Sequence, residues 1–348
     1  MRAFNVKPVD ESLRPKIQTK IDNLNKPLGS MGELEKLAMQ VCLVQHTLQP
    51  KLTHPCHILF GADHGIEREG VSIAPRDVTW QQMVNFARGG GGVNMLCRQH
   101  GFKLRIVDMG VDHDLSAVPG ILPRKIAWGT RDFLHEPALT PEQMNQAINT
   151  GADIMEQCVS EGCNIVALGE MGIGNTSPSS LWMSEIGRVP LAECIGAGSG
   201  LGHQGVAHKL KVLTQAQALF HSTHSEPTVE EVMTYFGGFE MVAAVGAMVR
   251  AAESGCLILV DGFIMSACML AASRLYPALL DYAIFGHVGD EAGHQRLLNL
   301  MQARPLLSLG MRLGEGTGAL CSYPLVETSV RMINEMNNFQ NAHIDKYF

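Results

Sequence analysis

No stretch of the 348-residue chain is long and apolar enough to read as a membrane span. The most apolar segment, Cys256 to Ser273, is interrupted by Asp261 and Gly262, and reads as a buried strand followed by a core helix. The first residues, Met1-Arg2-Ala3-Phe4-Asn5-Val6-Lys7-Pro8, lack the apolar centre of a secretory signal. Cysteine pairing signals are missing too. The nine cysteines are odd in number and include no Cys-x-x-Cys pair, which favours reduced thiols and a cytoplasmic setting over a disulfide framework. Basic excess is absent: 27 Lys and Arg against 34 Asp and Glu leave a formal charge of -7. Nucleic acid and anionic membrane are therefore not expected as partners, because both need a basic surface. No Gly-x-Ser-x-Gly elbow, His-Glu-x-x-His pair or similarly tight metal-ligand spacing occurs.

What is present fills a core easily: 46% of residues are hydrophobic and only 18% charged. Both ends read as helix. Asp10 can cap a segment with Leu13, Ile17, Ile21 and Leu24 on one face. Ser30-Met31-Gly32-Glu33 has capping-box spacing, and Leu34, Leu37, Val41, Val44 and Leu48 follow at helical intervals. From Ser329 onward, Val330, Ile333 and Met336 form another stripe, so the two ends predict one small helical unit.

The middle of the chain repeats a different pattern, in which short apolar runs end in glycine and a polar group. Ile58-Leu59-Phe60 leads to Asp63-His64, Ile106-Val107 to Asp108, and Val166-Ala167-Leu168 to Glu170. Leu257 to Val260 leads to Asp261, Tyr282 to Phe285 leads to His287, and Pro305 to Leu309 leads to Glu315. Strands buried on both faces and separated by helices predict a parallel sheet with a polar cleft at its carboxyl ends.

Three glycine loops and one glycine-flanked carboxylate could hold chemistry. Gly169-Glu170-Met171-Gly172-Ile173-Gly174-Asn175-Thr176-Ser177 follows a strand and precedes a helix, an arrangement that turns backbone N–H groups toward an anion. It has neither the Walker Gly-Lys-Ser/Thr nor the Gly-x-Gly-x-x-Gly order, and a ligand-free tight turn also fits it. Gly196 to Gly202 is a second loop, with Lys209 after it either neutralising a phosphate or lying solvated. Arg88 to Asn94 brings a helix near the sheet or forms a lid. Gly314-Glu315-Gly316-Thr317-Gly318 holds one carboxylate among small neighbours: a general base if a ligand buries it, an exposed turn residue otherwise. Scattered Asp/His pairs leave a metal-dependent hydrolase as a distant rival, and a non-catalytic nucleotide sensor as the non-enzyme one.

Taken in order, several motifs resemble one family along nearly the whole chain. They are Lys26-Pro27-Leu28-Gly29-Ser30-Met31-Gly32-Glu33-Leu34-Glu35, Ala62-Asp63-His64-Gly65-Ile66, Glu69-Gly70-Val71-Ser72 and Val78-Thr79-Trp80-Gln81. Gly169 to Thr176, Leu259-Val260-Asp261-Gly262-Phe263 and Arg312 to Gly318 complete the set. The family is that of the nicotinate-nucleotide–dimethylbenzimidazole phosphoribosyltransferases. The resemblance implies transfer of the ribose phosphate of nicotinate mononucleotide to 5,6-dimethylbenzimidazole, giving α-ribazole 5′-phosphate and nicotinate in cobalamin assembly. The same chemistry on adenine, another benzimidazole or a phenol is the alternative.

It further implies an α/β, Rossmann-like catalytic domain (51–319) with a small three-helix domain built from both termini (1–50 and 320–348). A homodimer is expected, with no cofactor and no metal. Residue by residue, the resemblance makes Glu315 the general base and Glu170 the secondary candidate. It gives Gly172, Gly174, Asn175, Thr176, Gly202 and Lys209 to the nucleotide, and Ser72, Gln81, Met171 and Leu313 to the acceptor base. The chain departs from the family pattern in two places. His287-Val288-Gly289-Asp290-Glu291-Ala292-Gly293-His294 stands where relatives typically read His-Arg-Ser-Ala-Glu-Pro-Gly-His, and Gly198 to Gln204 replaces a Gly-Thr-Gly followed by an acidic pair.

Overall fold

The computed structural model describes residues 2–198 and 200–346, so Ser199 of the second glycine loop lies outside the described residues. The chain opens with helices α1 (Arg14–Asn23) and α2 (Glu33–Val44). Asp10 accepts the Ser12 N–H at 2.8 Å and caps a single 3-10 turn that runs into α1. The expected capping box at Ser30 does not form, because Gly32, at φ 56°, is the N-cap and no side chain bonds there. Glu35 takes over the role of fixing the entry: its carboxylate accepts the Met31 N–H (2.9 Å) and pairs with buried Lys26 (2.8 Å).

Then follow β1 (Cys56–Ala62), α3 (Asp77–Ala87), α4 (Gly92–His100), β2 (Lys103–Gly110), β3 (Ile121–Pro123), α5 (Pro141–Ser160) and β4 (Ile165–Met171). The next elements are α6 (Thr176–Gly187), α7 (His203–Thr223), α8 (Val229–Phe236), α9 (Phe239–Glu253), β5 (Leu257–Val260) and α10 (Phe263–Leu275). The chain closes with β6 (Ala283–Phe285), β7 (His287–Val288), α11 (His294–Leu300), β8 (Leu307–Ser308), α12 (Thr317–Glu335) and α13 (Phe339–Ala342).

Six strands form one parallel sheet in the order β3-β2-β1-β4-β5-β6. This is the doubly wound α/β order, whose direction reverses between β1 and β4 and opens a crevice beyond their carboxyl ends. The apolar runs are continuous because both faces are covered. Ile58, Phe60, Val166, Leu168, Ile258 and Val260 point into the layer that includes α5, α6, α9 and α10. Leu59, Ile165, Ala167, Leu257 and Leu259 point into the opposite layer with α3, α4 and α12. Two expectations need correcting. The Pro305–Leu309 run contributes only Leu307–Ser308, which pairs with β7 in a separate ribbon, and the sheet gains a short edge strand, β3, that no apolar run announces.

The C-terminal helix begins at Thr317, not near Ser329, and runs through Pro324. Its first half packs Ala319, Leu320, Tyr323 and Val326 on the sheet layer. Its second half brings Met332 and Ile333 against Ile17, Ile21, Ala38 and Cys42 of α1 and α2. The Asn25 N–H donates to the Asn337 carbonyl at 2.8 Å, tying the two chain ends. No helix among the described residues is long and apolar enough to cross a membrane.

The tightest helix pair is α5 against α9, where a Cβ on Gly151 would lie 1.8 Å from the Ala243 carbonyl oxygen and one on Gly246 2.1 Å from that of Ile148. Backbones that close leave no room for a methyl group. Gly151→Ala should therefore lower stability by about 1–3 kcal/mol or more, measured as a reduced urea midpoint, because relief requires moving a whole helix. An unchanged midpoint would mean that α5 and α9 separate easily.

Candidate active site

The crevice is floored by the ends of β4 and β5 and walled by three loops. Its lining includes Glu170, Asp261 and Glu315, together with Ser72, Gln82, Met171 and Leu313. Glycine makes this convergence possible. A Cβ on Gly169 would sit 2.3 Å from the Glu315 carbonyl oxygen, and one on Gly314 2.6 Å from Glu170 Oε1. The Glu315 loop thus lies directly on the end of β4.

Glu315 is 7% exposed and has a left-handed backbone (φ 62°) between Gly314 (82°) and Gly316 (79°). Only glycine adopts that region freely, so the two flanking glycines ease the turn while Glu315 holds the same conformation at a steric cost. Its carboxylate accepts the Val93 N–H at 3.0 Å and that of Gly92, the first amides of α4. A Cβ on Gly92 would come within 3.3 Å of Glu315 Oε2. The Arg88–Asn94 glycine cluster therefore delivers a helix N-terminus to this carboxylate. Burial pushes Glu315 above the usual carboxylate range, the two amides oppose the shift, and the charge of Asp261 adds to it.

Glu170 stands deeper in the site. Burial drives it up to about 8, against a hydrogen bond donated by the Asn175 side-chain amide, and Glu240, Asp261 and Glu315 push in the same direction as burial. At neutral pH it is mainly a neutral acid that can donate. Asp261 behaves oppositely. Burial alone would raise it, but His287 at 3.5 Å and the N–H groups of Ala319 (3.0 Å) and Gly262 hold it below the ordinary value. The cleft therefore contains one fixed anion and two carboxyls poised to hold or accept protons.

The Gly172–Thr176 segment forms the neighbouring wall. The Ile173 N–H donates to the buried Thr79 hydroxyl (3.1 Å), anchoring the loop to α3. Beneath Gly172 lies a fully buried pair, His64 and Glu240, at 2.6 Å; a Cβ on Gly172 would approach both within 3.2 Å. Behind Thr176, Lys209 is completely buried and donates to the Thr176 hydroxyl at 2.7 Å. Burial lowers its ammonium to about 8, while the carboxylate of Glu291 favours the charged form.

Of the residues singled out from sequence, Glu315, Glu170, Gly172, Gly174, Asn175, Thr176, Ser72, Met171 and Leu313 line this one cleft. Lys209 stands just behind it. Gln81 does not reach it: it is exposed on α3, whereas Gln82, one step around the helix, faces inward. Gly202 is exposed at the N-cap of α7, and Gly198 is the loop glycine at the cleft. Asp261 is visible in the sequence only as a strand-end acid, and Glu240 gives no local signal because its partner is 176 residues away. Among the described residues, Glu69, Asp132 and His135 also bring their ligand atoms within 4.8 Å of one another, but none of them lines the cleft.

The protonation of Glu170 has a thermodynamic signature. Its folded-state value of about 8 exceeds the ordinary 4.5, so in that window the folded protein keeps a proton that the unfolded chain releases. Stability is thus lost as pH rises from about 4.5 to about 8. Glu170→Gln removes the penalty: its melting temperature should exceed wild type by several degrees at pH 8 and by little at pH 4.5. A difference independent of pH would show that Glu170 ionises normally.

The chain is similar to proteins of one family along nearly its whole length. A family model described as phosphoribosyltransferase matches residues 6–344. The nicotinate-nucleotide–dimethylbenzimidazole phosphoribosyltransferase of Bacteroides fragilis is 56% identical over 348 residues, covering 100% of both chains. The enzyme of the same name from Dechloromonas aromatica is 46% identical over 344 residues, 99% of each chain. A crystal structure of such an enzyme from Thermus thermophilus superposes with a TM-score of 0.91 at 33% identity, covering 97% of this chain and 99% of that one.

Proposed function

Because the chain belongs to the nicotinate-nucleotide–dimethylbenzimidazole phosphoribosyltransferase family, we propose that it transfers the 5-phosphoribosyl group of nicotinate mononucleotide to 5,6-dimethylbenzimidazole, as a pentosyltransferase of cobalamin lower-ligand activation. The observation that carries this reading is a buried carboxylate, Glu315, held on the amides of α4 at the wall of a cleft that also offers an anion corner.

The donor's ribose C1′ bears a pyridinium nitrogen, which departs as neutral nicotinate, so the leaving group needs no proton. Positive charge builds on the sugar, as in glycosidic bond cleavage. Asp261 is the permanent anion available to face it. Glu170, neutral at working pH, donates a hydrogen bond to a ribose oxygen more readily than it neutralises the cation. Thr176, Lys209 and the amides of Gly172, Gly174 and Gly198 receive the 5′-phosphate, with Asn175 holding Glu170 in place. This fixes C1′ about 3–3.5 Å from the incoming nitrogen.

Ser72, Gln82, Met171 and Leu313 flank the acceptor ring. Its imine nitrogen attacks from the face opposite nicotinate, inverting β to α. The ring N–H turns acidic as the new C–N bond forms, and Glu315 takes that proton. Burial raises its affinity for protons, which favours this task.

Leu313 and Ile73 are 61% and 60% exposed at or beside the acceptor side of the cleft, which favours a homodimer in which a second copy covers them. The helical unit of residues 1–50 and 320–348 is taken as the small domain. The thiol-rich composition, without disulfide pairs among the described cysteines, fits a cytoplasmic enzyme.

Glu315→Gln keeps an oxygen for the α4 amides but cannot accept the proton. It should lower kcat by roughly 10²–10⁴ with far-ultraviolet dichroism unchanged. Nicotinate release and α-ribazole 5′-phosphate formation, followed by chromatography, provide the measurement. Near-wild-type turnover would move the proton acceptor elsewhere.

A further inference from the structure

The anion corner already contains an anion belonging to the protein. Glu291, in the loop between β7 and α11, reaches across to the second glycine loop and accepts the Gly198 N–H at Oε1, 3.1 Å away. The fit is close, since a Cβ on Gly196 would lie 2.2 Å from the same oxygen. Thr176 Oγ1 lies 3.0 Å and Lys209 Nζ 3.8 Å from the Cβ position of Gly198, so carboxylate, amide, hydroxyl and ammonium share one corner. Lys209 is fully buried and gives Thr176 a hydrogen bond at 2.7 Å, and a buried ammonium requires a countercharge. Among the described residues, Glu291 is the acid whose charge is felt there.

We propose that Glu291 is a substrate-mimicking plug: in the unliganded protein its carboxylate occupies the phosphate subsite of the donor and must withdraw when a phosphate monoester enters. This rests on the reading of Thr176, Gly198 and Lys209 as that subsite. A dianionic phosphate and a carboxylate cannot share one amide and one ammonium without strong repulsion in a desolvated corner. The phosphate has the advantage of a second charge and additional acceptor oxygens, so it displaces the plug.

Gly289 and Gly293 flank Glu291, while the base of the loop is pinned by His294. The Gly289 N–H donates to His294 Nδ1 at 2.8 Å, which places the imidazole proton on Nε2, facing the Ser266 hydroxyl at 3.0 Å. Burial lowers His294 to about 4, so this neutral tautomer persists through the working range. The Asp290 N–H donates to the Met311 carbonyl (2.9 Å), linking the plug to the segment that carries Leu313 and Glu315.

Inorganic phosphate is the probe, because its binding does not require turnover. By calorimetry, Glu291→Gln should bind phosphate roughly 5–50-fold more tightly than wild type, and its KM for nicotinate mononucleotide should fall in the same direction. Equal or weaker phosphate binding by a folded Glu291→Gln variant overturns the proposal, since it would make Glu291 a support for the loop. Wild-type crystals soaked in phosphate give an independent reading should that variant not fold. Phosphate on Gly198 N and Lys209 Nζ with Glu291 withdrawn supports displacement, whereas phosphate bound elsewhere, or bound with Glu291 still on Gly198, overturns it. A variant that binds phosphate tightly yet releases no nicotinate would leave the plug intact and count against the assigned reaction.

Discussion

The cleft depends on a conformational cost at one residue. Glu315 occupies a backbone region that a side chain normally avoids, at an expense of about 1–3 kcal/mol, and the surroundings must repay it. Gly169 lets the turn rest on β4, Gly316 lets it pass His57, and Gly92 lets a helix N-terminus approach the carboxylate. These glycines come from three separate parts of the chain. Remove the left-handed turn and the carboxylate no longer meets the α4 amides, the cleft wall loses Leu313, and Gly314 no longer lies over Glu170.

The same crowding sets the division of labour among the acids. Three carboxyls in one desolvated crevice cannot all ionise comfortably, and the protein resolves the conflict through hydrogen-bond supply. Asp261 receives donors from His287, Ala319 and Gly262 and keeps its charge. Glu170 receives one from Asn175, too little to offset burial, and keeps its proton. Glu315 falls between them, with two amides opposing burial. Three different proton affinities thus arise from side chains of nearly identical chemistry.

Much of this architecture can be read from local sequence, and the remainder fails for identifiable reasons. Runs such as Ile165–Leu168 and Leu257–Val260 mark central strands because burial on both faces removes polar alternation. The glycine-flanked Glu315 and the Gly169–Thr176 loop are visible because steric demands at a turn are local. Gln82 escapes a sequence reading by one position, since 100° around a helix separates solvent from cleft and no local feature sets that phase. Gly198 is hard to tell from Gly202 because alternating glycines look alike until one is seen beside Lys209. The pairing of His64 with Glu240 is a purely tertiary fact. Pro305–Leu309 has the composition of a sheet strand, but only two of its residues pair, and they do so in a separate ribbon.

Helix α12 starts two residues after Glu315 and ends among Ile17, Ile21 and Cys42, so one helix, with Pro324 at its middle, joins the Glu315 turn to the paired chain ends. Pro324 interrupts the hydrogen-bond ladder at the middle of that helix, so the half that carries the turn and the half that packs on the terminal bundle meet at a weakened joint. The position of the turn is thereby set by its own glycine contacts more than by the packing of the distant chain ends.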